Sequence, residues 1–172
     1  MLRWFFCREL ENAIFWCRRG YFFDESGIDH RLHRLFARAP RGKEVFADIP
    51  GARCGRTSII SASMDGGLVE PMLFEGHCNS AVVESYFRDV LLPKIPKRSL
   101  IVLDNASFHH APSTQALVEA AGCELMFLPP YSPDLNPIEH IWATSKRRLQ
   151  NGLADAQDKE AFIAQNCLVL CA

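Results

Sequence analysis

Residues Leu100-Ile101-Val102-Leu103 form an apolar run with no polar interruption, and Asp104 follows at once. A short run that is apolar on both faces suits a strand covered on both sides, as parallel strands are by their crossover helices. Helical patterns flank it. Upstream, Val82, Val83, Tyr86, Phe87, Val90 and Leu91 recur at helical spacing over 80–95, behind a cap at Asn79 or Ser80. Downstream, Pro112 to Ala121 reads as a second helix closed by Gly122. A buried strand between two such helices commits the chain to the α/β class.

The other elements extend this into a mixed sheet. Residues 57–64 predict a strand, Asp65-Gly66-Gly67 a hairpin turn, and 68–76 the return strand. Tyr21-Phe22-Phe23 predicts a short strand that stops in the turn residues Asp24-Glu25-Ser26-Gly27. Residues 123–128 predict another strand, 129–137 a proline-rich loop, and 138–149 a helix. At the start, 2–17 predict a short helix ended by Gly20. Residues 28–56 carry the breakers Pro40, Gly42, Pro50, Gly51 and Gly55, so a loop is expected there, with a short strand at 43–47. The order strand, hairpin, helix, strand, helix, strand, helix describes one domain whose sheet begins antiparallel and continues parallel.

Composition narrows the classes of function. The 172 residues are 48% apolar and 23% charged, a globular mixture long enough for a real core. A net charge of −1 supplies no global positive field. The charge is uneven: residues 1–56 hold 11 basic and 7 acidic side chains, and 57–172 hold 8 and 13. Seven cysteines at scattered spacings (Cys7, Cys17, Cys54, Cys78, Cys123, Cys167, Cys171) do not read as a disulfide framework or a zinc site. They read as small buried hydrophobes. Arg8, Glu9 and Glu11 interrupt the apolar N-terminus, so no membrane span or export signal is read and a cytoplasmic protein is expected.

Two apolar strands thus deliver an aspartate, Asp24 and Asp104, where open α/β sheets place ligands. Both could equally begin a turn. A third acid stands in PPYSPDLNPIEHIW, where Asn136 reads as an N-cap, Pro137 as the first helical residue and Glu139 as its capping-box partner. Four prolines in nine residues stiffen this approach, which suits a placed ligand. Asp134 is the alternative, but Glu139 is held by the helix. Glu25 should face away from Asp24, and His30 and His33 read as surface residues without partners.

Together the three segments resemble the catalytic domain of DDE-type transposases of the mariner and bacterial insertion-sequence group. FFDESG resembles the first motif, IVLDNASFHHA the second and FLPPYSPDLNPIEHIW the third, with 34 residues between Asp104 and Glu139. The resemblance implies a ribonuclease H-like fold with a mixed sheet flanked by helices. It implies Asp24, Asp104 and Glu139 as a catalytic, metal-holding triad for Mg²⁺ or Mn²⁺. Two ions, with Asp24 between them, would serve DNA strand cleavage and strand transfer at transposon ends. Asn105, His109 and His110 follow Asp104 as supporting residues. Lys146, Arg147 and Arg148, the one basic cluster read in the sequence, are candidate DNA backbone contacts. The partners implied are double-stranded DNA (transposon ends and target) and a homodimer or an assembly with full-length transposase, acting on chromosomal DNA.

The departures from that pattern concern the ends and one helix position. The family carries helix-turn-helix domains ahead of the first aspartate, and 23 residues precede Asp24. Residues 1–19 are accordingly read as a residual helical segment, 20–150 as the catalytic domain, and 151–172 as a C-terminal tail of a truncated or split frame. Ser145 sits on the apolar stripe Ile138, Ile141, Trp142, Leu149 and should cost packing. Alternative readings are an inactive remnant, a regulator that binds full-length transposase, and an ordinary nuclease on the same fold.

Overall fold

The computed structural model describes residues 1–16, 19–33, 38–46 and 55–171. The hairpin is its simplest element. Asp65 and Gly66 join β2 (Arg56–Met64) to β3 (Gly67–Glu75), with φ of 51° and 84°. Two successive left-handed residues make the tight turn whose twist matches antiparallel strands, and Asp-Gly is the pair that tolerates it. β1 (Gly20–Asp29) runs antiparallel to β2 on one side. On its other side it pairs in parallel with β4 (Leu100–Leu103), which pairs in parallel with β5 (Glu124–Phe127). The sheet order is β3-β2-β1-β4-β5, the mixed arrangement expected from the element order.

Both faces are covered. Tyr21, Phe23, Ile101 and Leu103 point to one side, beneath α2 (Ser80–Tyr86), its π-helical continuation Phe87–Leu91, and α3 (Pro112–Ala120). On the opposite side α4 (Ile138–Leu149) and α5 (Lys159–Leu168) pack over Ile28, Ile59 and Leu68. There α1 (Leu2–Phe15) seats Phe6 against Leu100, Val102 and Leu128. β4 is fully buried along its length, as its sequence requires. Asn79 caps α2 by accepting from the Val82 N–H at 3.1 Å.

Several expectations are corrected. The first strand does not stop at Asp24. It continues through Glu25, Ser26 and Gly27 to Asp29, because β2 pairs with it as far as Asp29↔Arg56. Gly27 serves close approach rather than a turn, since the Arg56 guanidinium occupies the space its side chain would take. The N-terminal helix ends at Phe15, and Gly20 opens β1 instead of closing the helix. The helix expected over 80–95 changes to π geometry at Phe87 and stops before Pro93, which has no N–H to donate. No strand forms at 43–46, and Ala47 lies outside the described residues, as do Pro50, Gly51, Cys17 and Cys54. Cys7, Cys78, Cys123, Cys167 and Cys171 are free; Cys123 and Cys167 are buried, but Cys171 is exposed. His30 is not without a partner, for its Nε2 lies 2.8 Å from Thr57 Oγ1. Among the described residues no helix is long and apolar enough to cross a membrane.

β3 contains a bulge that the pattern did not announce. The register shifts between Ile60 and Ala62, and Glu70 takes φ 50° just before Pro71. The Tyr86 hydroxyl fills the gap, accepting from the Ala62 N–H at 3.1 Å and donating to the Val69 carbonyl at 3.1 Å.

Ser145 is fully buried on α4, and its hydroxyl has no partner among the described residues. A buried hydroxyl left unsatisfied costs roughly 1–3 kcal/mol. Ser145→Ala should therefore stabilise the protein by ~1 kcal/mol, read as a higher urea midpoint with an unchanged denaturant slope.

Candidate active site

The pairing of β1 with β4 ends at Phe22↔Val102, and extending that register by two residues sets Asp24 level with Asp104. Both residues share the sheet face of Phe22 and Val102, because side chains alternate along a strand. Glu139 arrives separately, in the first turn of α4. The three acids line one cavity of about 330 Å³ together with Asn105, Tyr131 and Asn136. Tyr131 stands fully exposed at this cavity with φ 53°, a backbone region that bulky residues seldom adopt.

Each strand aspartate has a fixed partner. Asp24 is 8% exposed, and its Oδ2 accepts from the Trp142 indole N–H at 3.1 Å. Asp104 Oδ1 accepts from the Ala106 N–H at 2.9 Å, an Asx turn, and meets His109 Nδ1 at 2.6 Å. The turn reading of Asp104 is thus realised, on a residue that also lines the cavity. Trp142 was legible only as a core residue of the α4 stripe. The available signal was that a buried indole N–H needs an acceptor, and few acceptors lie within reach of α4.

The charges respond to this crowding. Burial, and then the negative charges of Glu25, Glu139 and Asp104, push the Asp24 carboxyl up to about 7. The hydrogen bond from His109 holds Asp104 below the ordinary carboxylate range. His109 is buried, which opposes its charge, but Asp104 and Glu25 outweigh burial and push it up to about 9. Glu25 projects to the face opposite Asp24, and its Oε2 lies 3.5 Å from His109 Nε2.

Not every candidate reaches the cavity. His109 stands behind Asp104, its ring against Phe23 and Phe108, and does not line the cavity. Asn105 does; it donates to the Leu128 carbonyl, while its Oδ1 faces His110 Nε2 at 3.2 Å. His110 stacks on Phe127 with ring centroids 4.1 Å apart. Lys146, Arg147 and Arg148 occupy the last turn of α4, ~10–14 Å along the helix from Glu139. Asp134 is taken by Arg3 of α1 in a two-pronged pair, with Nη1 to Oδ1 at 3.0 Å, and does not line the cavity. The capping box does not form. The Glu139 N–H reaches the Asn136 backbone carbonyl at 3.2 Å, and the Asn136 side chain makes no cap bond, its buried Oδ1 having no partner among the described residues.

Hard carboxylate oxygens on three separate elements, one of them with its pKa raised by burial and by neighbouring acids, fit a divalent cation. Their present rotamers do not form a ready ligand set: among the described residues no three His, Cys, Asp or Glu side chains stand close enough to hold one ion.

The metal-free site should be strained by its own charge. A carboxyl raised from 3.8 to about 7 carries no penalty below pH 4, a growing one between pH 4 and 7, and its full penalty above that. Asp24→Asn keeps an acceptor for Trp142 and removes that charge. At pH 8, without divalent ions, the variant should melt several degrees higher than the wild type, a gap worth up to ~4 kcal/mol. The gap should close near pH 4, as scanning calorimetry at the two pH values would show.

Comparison with known proteins bears on the fold and the family. A crystal structure of the Mos1 strand transfer complex superposes with TM-score 0.76 at 19% identity, over 99% of this chain and 53% of that one. The catalytic domain of Mos1 mariner transposase gives TM-score 0.66 at 20% identity, over 98% of this chain and 78% of that one. Identities this low speak to the shared ribonuclease H-like fold. A relative from Sinorhizobium fredii, the uncharacterized protein y4pE/y4sA, is 29% identical over 99 residues, which is 57% of this chain and 64% of its own. The chain spans about half the length of the Mos1 chain in the strand transfer complex. The model of the DDE superfamily endonuclease family matches residues 19–163, most of the sequence and all three acidic motifs, and the chain belongs to that family.

Proposed function

We propose that this chain is the catalytic domain of a transposase and performs metal-dependent DNA strand cleavage and strand transfer at transposon ends. The observation that carries the reading is the meeting of Asp24, Asp104 and Glu139, from three separate motifs, on one cavity. Residues 20–150 form the catalytic domain in this reading, 1–19 an N-terminal helical segment and 151–172 a C-terminal tail. Its substrates are double-stranded transposon ends and target DNA, and it acts on the chromosome as a homodimer or together with full-length transposase. The Mos1 paired-end complexes, solved with Mn and with Mg, support both the choice of metal and the pairing of ends.

Asp24, Asp104 and Glu139 would hold Mg²⁺ or Mn²⁺, two ions in this reading, which supply activation of the attacking oxygen and stabilisation of the leaving one in an in-line displacement. The chain's own residues prepare the site. Trp142 fastens one oxygen of Asp24 and so orients the carboxylate at the cavity. His109 and the Ala106 N–H both fasten on Asp104 Oδ1, which leaves Oδ2 free to turn to the cavity. Asn105 ties the loop after β4 to the end of β5, fixing one wall. Partners of this kind, which orient a ligand without touching the metal, typically contribute 10–100-fold to affinity or activity.

Replacing Asp24, Asp104 or Glu139 by Ala should abolish Mn²⁺-dependent nicking of end-bearing duplex DNA while preserving the circular dichroism spectrum. Full activity in Asp24→Ala would refute the assignment. Trp142→Phe, which keeps the packing and loses only the N–H, should lower the cleavage rate roughly 10–100-fold and raise the Mn²⁺ concentration needed for half-maximal rate. An unchanged metal requirement would deny Trp142 its role in positioning Asp24.

A further inference from the structure

The carboxylates occupy the carboxyl ends of β1 and β4; the amino ends of the same two strands carry the opposite charge. Arg19 precedes β1, and Lys94, Lys97 and Arg98 lie in the turn before β4. All four line a cavity of about 440 Å³ with Ile95, Pro96 and Ser99, and no acidic residue lines it. Lys146, Arg147 and Arg148 are therefore not the one basic cluster of the chain. The second cluster escaped the sequence because Arg19 is distant from the other three and because Ile95 and Pro96 separate Lys94 from Lys97-Arg98.

All four side chains are exposed, on a backbone held in place by hydrogen bonds. Among the described residues none of the four makes an ion pair. Glu124 opens the neighbouring strand β5 but does not line the cavity. The backbone beneath the charges is held tightly. The Arg98 N–H donates to the Gly122 carbonyl at 2.7 Å, the Leu100 N–H to the Arg19 carbonyl at 2.9 Å, and Ser99 Oγ to the Pro96 carbonyl at 2.6 Å. Arg98 is kept at φ 66°, a costly conformation for a residue with a side chain. The Lys97 stem runs alongside Gly122. In a chain of net charge −1, four cations on a firmly held backbone, without an ion-pair partner among the described residues, share one concave surface and make a local positive patch that the overall charge conceals.

We propose that Arg19, Lys94, Lys97 and Arg98 form a second DNA-contacting surface, which grips the phosphate backbone of duplex DNA without reading its bases. The proposal rests on duplex DNA being the substrate. Four residues of strand separate this surface from Asp104, ~13 Å at the rise of a β-strand. That is ~4 base steps along a duplex, too far to hold the reacting phosphate and suited to holding DNA away from it. The hydrogen-bonded turn keeps the backbone that carries these charges in one shape, which suits a regular, repeating polyanion. Strand cleavage itself does not require this surface, only retention of the DNA.

The test measures binding apart from catalysis. The full chain, in EDTA, is titrated against a fluorescent ~30-base-pair duplex between 50 and 300 mM salt. Each phosphate contact contributes about −0.9 to the slope of log K against log salt. Lys94→Gln/Lys97→Gln, which keeps both aliphatic stems, should flatten the slope by about 2 and weaken binding at least tenfold at 100 mM salt. Arg41→Gln/Lys43→Gln removes the same charge from an exposed loop and should change affinity less than twofold. Both variants should melt at the wild-type temperature. Equal losses in the two variants would reduce the effect to net charge and overturn the proposal; so would an unchanged slope in the first variant, or no duplex binding by the wild type. Cleavage by the wild type in Mn²⁺ is scored separately. A chain that cleaves with an unaltered slope overturns this surface alone, and one that never cleaves but shows the altered slope overturns the catalytic reading alone.

Discussion

β1 serves two neighbours over different lengths. β2 runs antiparallel beside it down to Asp29, whereas β4 lies parallel to it only from Gly20 to Phe22. Where β4 departs, β1 continues, and the gap between them lies beside Asp24 and Asp104. A longer β4 would bury both carboxylates in a ladder, and a shorter β1 would leave Asp24 on a mobile turn. Instead Asp24 is held by strand pairing on one side and is open to ligands on the other. The remaining structure serves that geometry: α4 brings Glu139 and Trp142 over the gap, and the chain beyond β5 closes its rim with Tyr131 and Asn136.

Electrostatics gives the arrangement its chemical sense. Burial and three nearby carboxylates raise Asp24 far above an ordinary aspartate. Such a site is poor without positive charge and good with it, which is the condition for tight binding of a hard divalent ion. The amino end of α4 favours an acid at Glu139 through its dipole. On the far side of the sheet face, Glu25 and Asp104 hold His109 between them, so the alternation of β1 sends two neighbouring acids to different tasks. At the opposite end of the strands the four cations balance the picture. One end of these two strands gathers acids and the other gathers bases, a separation that a net charge near zero conceals.

Much of this was legible in the residues. The apolar Leu100–Leu103 run, the Asp-Gly hairpin and the periodic α4 carry strong local signals, and each formed as read. The errors share a cause, which is that tertiary pairing overrode a local preference. Asp24-Glu25-Ser26-Gly27 is good turn chemistry, yet β2 supplies a partner strand and the segment stays extended. Asn136 is a good cap by sequence, yet its side chain turns into the cavity wall, and its backbone carbonyl receives the helix N–H instead. The Trp142–Asp24 bond joins residues 118 positions apart, and no spacing rule reaches that far. The basic surface joins Arg19 to 94–98 for the same reason: only the parallel pairing of β1 and β4 makes them neighbours.

The central claim is that Asp24, Asp104 and Glu139 constitute one divalent-cation site. It is tested most directly by crystals of the protein soaked in Mn²⁺ and measured at the manganese absorption edge. The account expects anomalous density in the cavity, within ~2.0–2.3 Å of oxygens from these three side chains, and its disappearance in Asp104→Asn. Well-ordered carboxylates with no anomalous density among them, or density held by other residues, would contradict it.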